Sequence, residues 1–216
     1  MKVSNDVPPE EASFLEPLAT VVSGAKKIRI APGENVVVVG AGTMGLLNAQ
    51  VAAAFGASVI VTELSEKKLA RAREMGFARV VDARQADPVE AVKALTGGVG
   101  ADVVIPAVGN AVAYAQAYDM LKRYRGRMLI FAAGYPAPEL KVDANEIHYR
   151  KLEISGTVGA NLCDFRDAAC MIANRKVQCR HSLEGATFAL SDIQQAYERA
   201  AAPDTYRVTV DLQRIQ

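Results

Sequence analysis

The sequence predicts an α/β protein built on a doubly wound, mostly parallel sheet of six strands. From Asn35 onward, short runs rich in valine and isoleucine alternate with alanine-rich segments of helical length. This alternation is typical of parallel sheets covered by helices on both faces. The run VVVV at 36–39 leads directly into a glycine-rich turn and a helical segment. Six strands and five crossovers make two similar halves, for which the default strand order is 3-2-1-4-5-6.

Each element of the sheet can be assigned in order along the chain. The predicted strands are 35–39, 58–62, 79–81, 102–105, 127–131 and 152–155. The predicted crossover and covering helices are 44–54, 65–75, 88–95, 111–121 and 165–174. Ser65 is placed to cap a helix start, and Pro88 suits a first helical position. The predicted strands and helices together assign residues 29–175 to the main domain.

Two smaller segments flank this domain. Residues 1–28 are predicted to be a helical lead-in of two pieces, at 10–15 and 17–28, with Pro17 in a first helical position. Residues 176–216 are predicted to be a tail, in which Ser191 and Gln194 form a capping box for a helix and 206–212 form a last strand. The fifth connection contains an extended stretch from Leu140 to Asp143 outside the helical layer, which is a candidate sheet edge.

Composition excludes several classes of partner. The formal net charge is +1, from 25 basic and 24 acidic residues, so neither nucleic acid nor an anionic membrane surface is expected as a partner. The most apolar stretch, 46–61, is interrupted by Asn48 and Gln50, and the first residues lack the apolar core of a secretory signal. Three widely spaced cysteines fit reduced thiols. We expect a soluble, cytoplasmic protein.

The glycine-rich turn predicts a dinucleotide site. It reads Gly40-Ala41-Gly42-Thr43-Met44-Gly45, follows a strand and opens a helix. The first glycine permits a tight turn, the second allows backbone to approach a pyrophosphate, and the third allows close packing of helix on strand. Free N–H groups at the helix start then face the doubly negative ligand. A turn that binds nothing, or a methyltransferase loop, is the alternative interpretation.

Glu63 predicts which dinucleotide is bound. It ends the second strand, eighteen residues after Gly45, where an acid accepts hydrogen bonds from the adenosine ribose. A carboxylate there would repel a 2′-phosphate, so NAD is expected rather than NADP. An ordinary surface acid is the alternative. Lys68 could help to hold the adenosine end or be solvated, and because Lys67 is adjacent, NADP stays open.

Several longer stretches carry a family resemblance. They are ASFLEPLATVVSGAKK, APGENVVVVGAGTMGLLNAQVAAAFGA, VIVTELSEKKLARAREMGFARVVD, NEIHYRKLEISGT and FALSDIQQAYERA. In these the chain resembles the zinc-containing medium-chain alcohol and polyol dehydrogenases, and among them the sorbitol and threonine dehydrogenases. The resemblance implies a Rossmann domain that binds NAD and serves hydride transfer from a secondary alcohol, such as a polyol.

The resemblance also implies contacts with the nicotinamide half of the cofactor. Backbone at Val108 and Gly109 and at Ala132, Ala133 and Gly134 would border it. The general rule that ligands lie at the carboxyl ends of strands, near the switch in strand order, leads to the same places. Pro106 stands where relatives more often have a polar residue.

Zinc is expected only in the full-length family. Glu16 matches the glutamate of the family's Glu-Pro-Leu segment, which lies at the catalytic zinc, although it could equally be a first-turn acid of a helix. The family's other zinc ligands, a cysteine and a histidine, come from a preceding domain, and this sequence has neither before His148. The five cysteines and histidines lack the close paired spacing of a zinc site. We therefore expect no metal in this chain, and a missing catalytic domain.

These observations favour the dinucleotide-binding half of an alcohol or polyol dehydrogenase, which alone binds cofactor with little or no turnover. The alternatives are a stand-alone, non-catalytic dinucleotide-binding module and a zinc-independent, NADPH-dependent enzyme of the quinone reductase type. In relatives an extended strand after the fifth β-unit pairs across a two-fold axis, and Leu140 to Asp143 occupy that place. A homodimer through this edge is expected.

Overall fold

The computed structural model describes residues 6–213. Residues 1–5 of the predicted lead-in and 214–216 of the predicted tail lie outside them. The α-helices are α1 Pro9–Ala12, α2 Leu15–Lys27, α3 Thr43–Ala54, α4 Glu66–Glu74, α5 Pro88–Leu95, α6 Ala111–Asp119, α7 Ala144–Arg150, α8 Leu162–Ala173 and α9 Ile193–Ala201. The strands are β1 Asn35–Val39, β2 Ser58–Glu63, β3 Val80–Asp82, β4 Val103–Pro106, β5 Arg127–Ile130, β6 Glu153–Gly156, β7 Leu183–Ala189 and β8 Arg207–Asp211.

The main sheet confirms the predicted fold class. Its six strands are all parallel and lie in the order β3-β2-β1-β4-β5-β6. β1 lies between β2 and β4, with Val36 opposite Val59 on one side and Val103 on the other. Because the chain turns to opposite sides of the sheet after β1 and β4, their carboxyl ends border a crevice.

Helices bury both faces of the central strands. Val36 of β1 packs with α2, α3 and α8, in a cluster that includes Leu18, Leu47 and Ile172. Val37, the next residue, faces the other side and packs with α5 and α6. Val36, Val37 and Val38 are all fully buried, so β1 reads as a continuous apolar run.

The segment between α1 and β1 belongs to this core. Phe14, Leu18, Val21 and Val22 are fully buried against the face that α3 and α8 also cover. Pro17 lies in the first turn of α2, where its missing N–H costs no intrahelical hydrogen bond. Residues 15–27 of the predicted lead-in therefore complete one layer of the domain.

The expected edge strand at 140–143 has no partner strand among the described residues. Those residues form no strand, and β6 is the edge of the sheet on that side. Pro136 and Pro138, just before the segment, have no N–H to give to a ladder. Leu140 turns into the core beside α5 and α6, and Asp143 accepts a hydrogen bond from Asn145 N–H at 2.8 Å and so caps α7. Pairing of this segment across a two-fold axis stays a prediction.

The tail differs from the prediction in two ways. A 3₁₀ turn, Leu190–Asp192, precedes α9, whose N-cap is Asp192 without a side-chain hydrogen bond, so the predicted capping box is wrong. β7 was not predicted, and it pairs in parallel with β8 in a small second sheet. Among the described residues, no helix is both long and apolar enough to span a membrane.

Candidate functional site

A cavity of about 460 Å³ lies at the carboxyl ends of β1, β2 and β4. Val39 and Gly40 form one wall, Thr62 to Leu64 a second, and the start of α6 the third. The lining is mostly apolar, and among its described residues Glu63 is the one ionisable group. A flat apolar ring with a polar rim, such as a nucleoside, fits this composition.

The three glycines of the turn after β1 have different surroundings. Gly40 has φ +97°, and a Cβ there would lie 2.5 Å from Val108 Cγ2. A Cβ on Gly45 would lie 1.9 Å from the carbonyl oxygen of Gly40. A Cβ on Gly42 would meet nothing within 4 Å. Gly40 and Gly45 are thus required by the protein itself, whereas Gly42 borders open space.

Four consecutive backbone N–H groups start at this open space. Those of Gly42, Thr43, Met44 and Gly45 have no hydrogen-bond acceptor among the described residues, and the first bonded one is Leu46 N–H, to the carbonyl of Gly42 at 2.9 Å. No side chain caps α3. Unpaired N–H groups and the positive end of the helix dipole make this a place for an anion.

Glu63 holds the turn from the other side. Its carboxylate accepts hydrogen bonds from Ala41 N–H at 2.6 Å, Leu64 N–H at 2.7 Å and Ser65 N–H at 2.9 Å. Two carboxylate oxygens have about four acceptor positions, so three backbone donors leave room for a hydroxyl. Sequence reasoning predicted the contact with a ribose but not this anchoring of the glycine turn.

The basic residues nearby are engaged elsewhere. Lys68 Nζ lies 3.7 Å from Asp204, and the side chain does not line the cavity. Arg84, just after β3, is held at 2.7 Å by Asp82 and at 3.2 Å by Glu66. The hydrogen bond from Arg84 lowers the pKa of Asp82 to about 2. Both cations are thus paired with carboxylates.

The loops after β4 and β5 touch backbone to backbone. A Cβ on Gly109 would lie 2.1 Å from the carbonyl oxygen of Ala133, and a Cβ on Gly134 would lie 2.0 Å from that of Gly109. The hydroxyl of Tyr114, on α6, donates a hydrogen bond to the carbonyl of Ala132. Together with the contact of Gly40 and Val108, these contacts connect all the residues predicted to border the nicotinamide half into one surface.

Comparison with known proteins places the chain in a family. Residues 43–174 match the family model described as zinc-binding dehydrogenase. The chain belongs to the zinc-binding dehydrogenase family. The match begins at Thr43, inside the glycine turn, and covers α3 to α8 and β2 to β6.

Relatives and solved structures of this family share most of the chain. A sorbitol dehydrogenase of Halalkalibacterium halodurans is 31% identical over 199 residues, which are 91% of this chain and 57% of that protein. An L-threonine 3-dehydrogenase of Deinococcus deserti is 26% identical over 99% of this chain and 61% of its own length. A putative zinc-binding dehydrogenase of Sinorhizobium meliloti, bound to NADP, superposes with TM-score 0.89 at 26% identity, over 97% of this chain and 61% of that one. The chain thus spans about 60% of the length of these relatives.

The acid expected at the family's zinc is Glu16. Glu16 is exposed in the first turn of α2 and makes no hydrogen bond or ion pair with another described residue. Cys163 and Cys170 are exposed on α8, while Cys179 is buried, and that burial raises the pKa of its thiol to about 12. Within residues 6–213, no three His, Cys, Asp or Glu side chains are grouped to hold a metal ion.

Sequence reasoning missed one side chain at the glycine turn of this zinc-binding dehydrogenase family member. Tyr206, just before β8, is 3% exposed and donates its hydroxyl proton to the carbonyl of Ala41 at 3.2 Å. The predicted last strand began at this residue, but no local pattern indicates where a tyrosine of the tail packs.

Proposed function

We propose that this chain is the NAD-binding part of a zinc-dependent alcohol or polyol dehydrogenase, which transfers a hydride from a secondary alcohol to NAD. The observation that carries the proposal is the open space next to Gly42, together with four consecutive N–H groups that have no acceptor within residues 6–213. A side chain at Gly42 would project into this space, and the oxygens of a pyrophosphate would be acceptors for the free N–H groups.

The rest of the site supports a dinucleotide in one orientation. The adenosine lies in the cavity beside Glu63, and the nicotinamide half lies along Val108, Gly109 and residues 132–134. This chain's residues bind and orient the cofactor. Bound NAD supplies the hydride acceptor, and zinc in the full-length family polarises the alcohol oxygen.

NAD is proposed over NADP because of the charges around the ribose. Glu63 is the one ionisable residue of the described lining, and a 2′-phosphate next to it would be repelled. Lys68 pairs with Asp204 and Arg84 with Asp82, so compensating cations are engaged. The Sinorhizobium meliloti relative binds NADP, which makes this preference the first property to measure.

A thermal-shift titration with NAD and NADP tests the proposal. A ligand at a hundred times its dissociation constant adds about 2.7 kcal/mol of stability, so NAD should raise the melting temperature clearly and NADP less. Glu63→Arg should reduce or reverse this preference, and Glu198→Arg, at an exposed acid of α9 that does not line the cavity, is the matched control. If neither dinucleotide raises the melting temperature of the wild-type chain, the proposal is wrong. A preference for NADP would favour the quinone reductase alternative.

We further propose that the chain alone binds cofactor with little or no turnover, and that zinc-dependent chemistry needs the catalytic domain of the full-length family. Sustained NADH formation from this chain with NAD, zinc and sorbitol would contradict this. We also propose a homodimer, a cytoplasmic location and the domain limits 1–28, 29–175 and 176–216. Sedimentation velocity measures the oligomeric state.

The non-catalytic module stays the alternative. Cofactor binding without turnover, even when the catalytic domain is supplied, would favour it.

A further inference from the structure

The tail of the chain reaches the glycine turn through one buried hydroxyl. Tyr206 donates its proton to the carbonyl of Ala41, a residue 165 positions earlier, in a contact that excludes solvent. Its ring packs in a cluster with Ala41, Leu46 and Ala49, which are fully buried. The same peptide segment is held on its other side by the hydrogen bond from Ala41 N–H to Glu63.

This hydrogen bond fixes the direction of a donor in the proposed pyrophosphate site. In a trans peptide the C=O and the following N–H point in opposite directions. The carbonyl of Ala41 points inward to Tyr206, so the N–H of Gly42 points outward. The space next to Gly42 is open, because a Cβ there would meet no atom within 4 Å.

Ionic contacts hold Tyr206 in place. Glu184 on β7 accepts hydrogen bonds from Tyr206 N–H at 2.6 Å, Lys67 Nζ at 3.1 Å and Arg199 at 2.6 Å. The guanidinium of Arg71 lies 5.3 Å from the centre of the Tyr206 ring. Tyr206 is therefore packed between α4 and the small sheet, and its contacts with Arg71 and Glu184 hold it next to Ala41.

We propose that Tyr206 is a positioning residue for the cofactor, which orients the Gly42 N–H toward the pyrophosphate by holding the Ala41 carbonyl. The proposal rests on the proposed function, because it assigns a role within that same site. Tyr206 does not line the cavity proposed for the adenosine. Its effect should therefore appear with ligands that carry phosphate and not with a bare nucleoside.

Isothermal titration of the 216-residue chain with NAD, ADP and adenosine tests this. Tyr206→Phe removes the hydroxyl and keeps the ring, and it should raise the Kd for NAD and for ADP about fivefold while the Kd for adenosine stays unchanged. Tyr197→Phe makes the same chemical change at an exposed tyrosine of α9 and should alter none of the three. Circular dichroism and melting curves check that each variant is folded.

The outcomes separate the two proposals. If the wild-type chain binds neither NAD nor ADP, the proposed function fails, and the role of Tyr206 fails with it. If the wild-type chain binds and Tyr206→Phe binds NAD and ADP with unchanged Kd, only the positioning role is wrong. An equal loss of affinity for adenosine would show a general structural effect and would also overturn the positioning role.

A second measurement needs no ligand. In the ligand-free chain, Tyr206→Phe should shift the amide resonance of Gly42 in ¹H–¹⁵N spectra, and an unchanged resonance would contradict the proposal.

Discussion

At the glycine turn, an added methyl group is expected to weaken NAD binding at Gly42 and to lower the stability of the fold at Gly45. Gly42→Ala places its Cβ in open space at φ −69°, which alanine adopts readily, so the free energy of unfolding should change by less than about 1 kcal/mol. The methyl group would occupy the space proposed for the pyrophosphate, and the Kd for NAD should rise at least about tenfold. Titration calorimetry and urea unfolding measure the two effects.

Gly45→Ala is the matched comparison. Its Cβ would lie 1.9 Å from the carbonyl oxygen of Gly40, so the backbone must shift, and the free energy of unfolding should fall by about 3 kcal/mol. A Gly42→Ala variant that retains wild-type affinity for NAD would show that the open space is not the binding site. A Gly45→Ala variant of wild-type stability would show that the turn relaxes more easily than its contacts suggest.

At the level of single residues, the sequence predicts those features that depend on local backbone geometry. The spacing of Gly40, Gly42 and Gly45 indicates a turn between strand and helix, because those conformations depend on near neighbours. The partner of Tyr206 lies 165 positions away, and the three backbone donors to Glu63 depend on how β2 lies beside β1. Such contacts follow from tertiary packing and leave no local pattern.

At the scale of elements, the docking of the tail depends on Glu184. Burial alone would raise the pKa of this carboxyl, but hydrogen bonds from Tyr206 N–H, Lys67 and Arg199 outweigh it and lower the pKa to about 2. Because the folded-state pKa lies below the ordinary value of 4.5, the stabilisation is present above pH 4.5 and is lost as the pH falls toward 2.

Glu184→Gln should therefore destabilise the chain by about 2 kcal/mol at pH 7, and the difference from wild type should shrink between pH 4.5 and pH 2. Urea unfolding across this pH range measures it. Glu198→Gln is the control, because Glu198 on α9 is exposed and its one described hydrogen bond is with Gln194. A deficit for Glu184→Gln that does not depend on pH would contradict the assigned ionic contacts.

The elements that sequence reasoning placed well are those whose own composition decides their structure. The strands of the main sheet were predicted to within about a residue at each end, because buried parallel strands are continuous apolar runs. β7 was missed because most of its residues are only partly buried or exposed, it contains Gly185 at φ +81°, and it is stabilised by β8, about twenty residues later. The stretch at 140–143 looked extended in sequence. It pairs with no described strand, and it ends at Asp143, which caps α7.

At the scale of the whole molecule, the two sheets should differ in stability. The central strands β1 and β4 are almost entirely buried, with helices on both faces, whereas most residues of β7 and β8 are partly exposed. Local openings are easiest where few apolar side chains are buried. Hydrogen exchange followed by mass spectrometry should find peptides of β7 and β8 exchanging well before those of β1 and β4. Equal protection of both sheets would contradict this division.

The hydrogen bond between Tyr206 and Ala41 also couples the docking of the tail to the binding of a dinucleotide. Linkage is reciprocal: if docking of the tail raises the affinity for a dinucleotide by some factor, the bound dinucleotide raises the docking equilibrium by the same factor. The tail would then report on cofactor occupancy. A protease acting at the exposed Pro203 and Asp204 should cleave the ligand-free chain faster than the chain saturated with NAD, and the ratio of the two rates would measure the coupling.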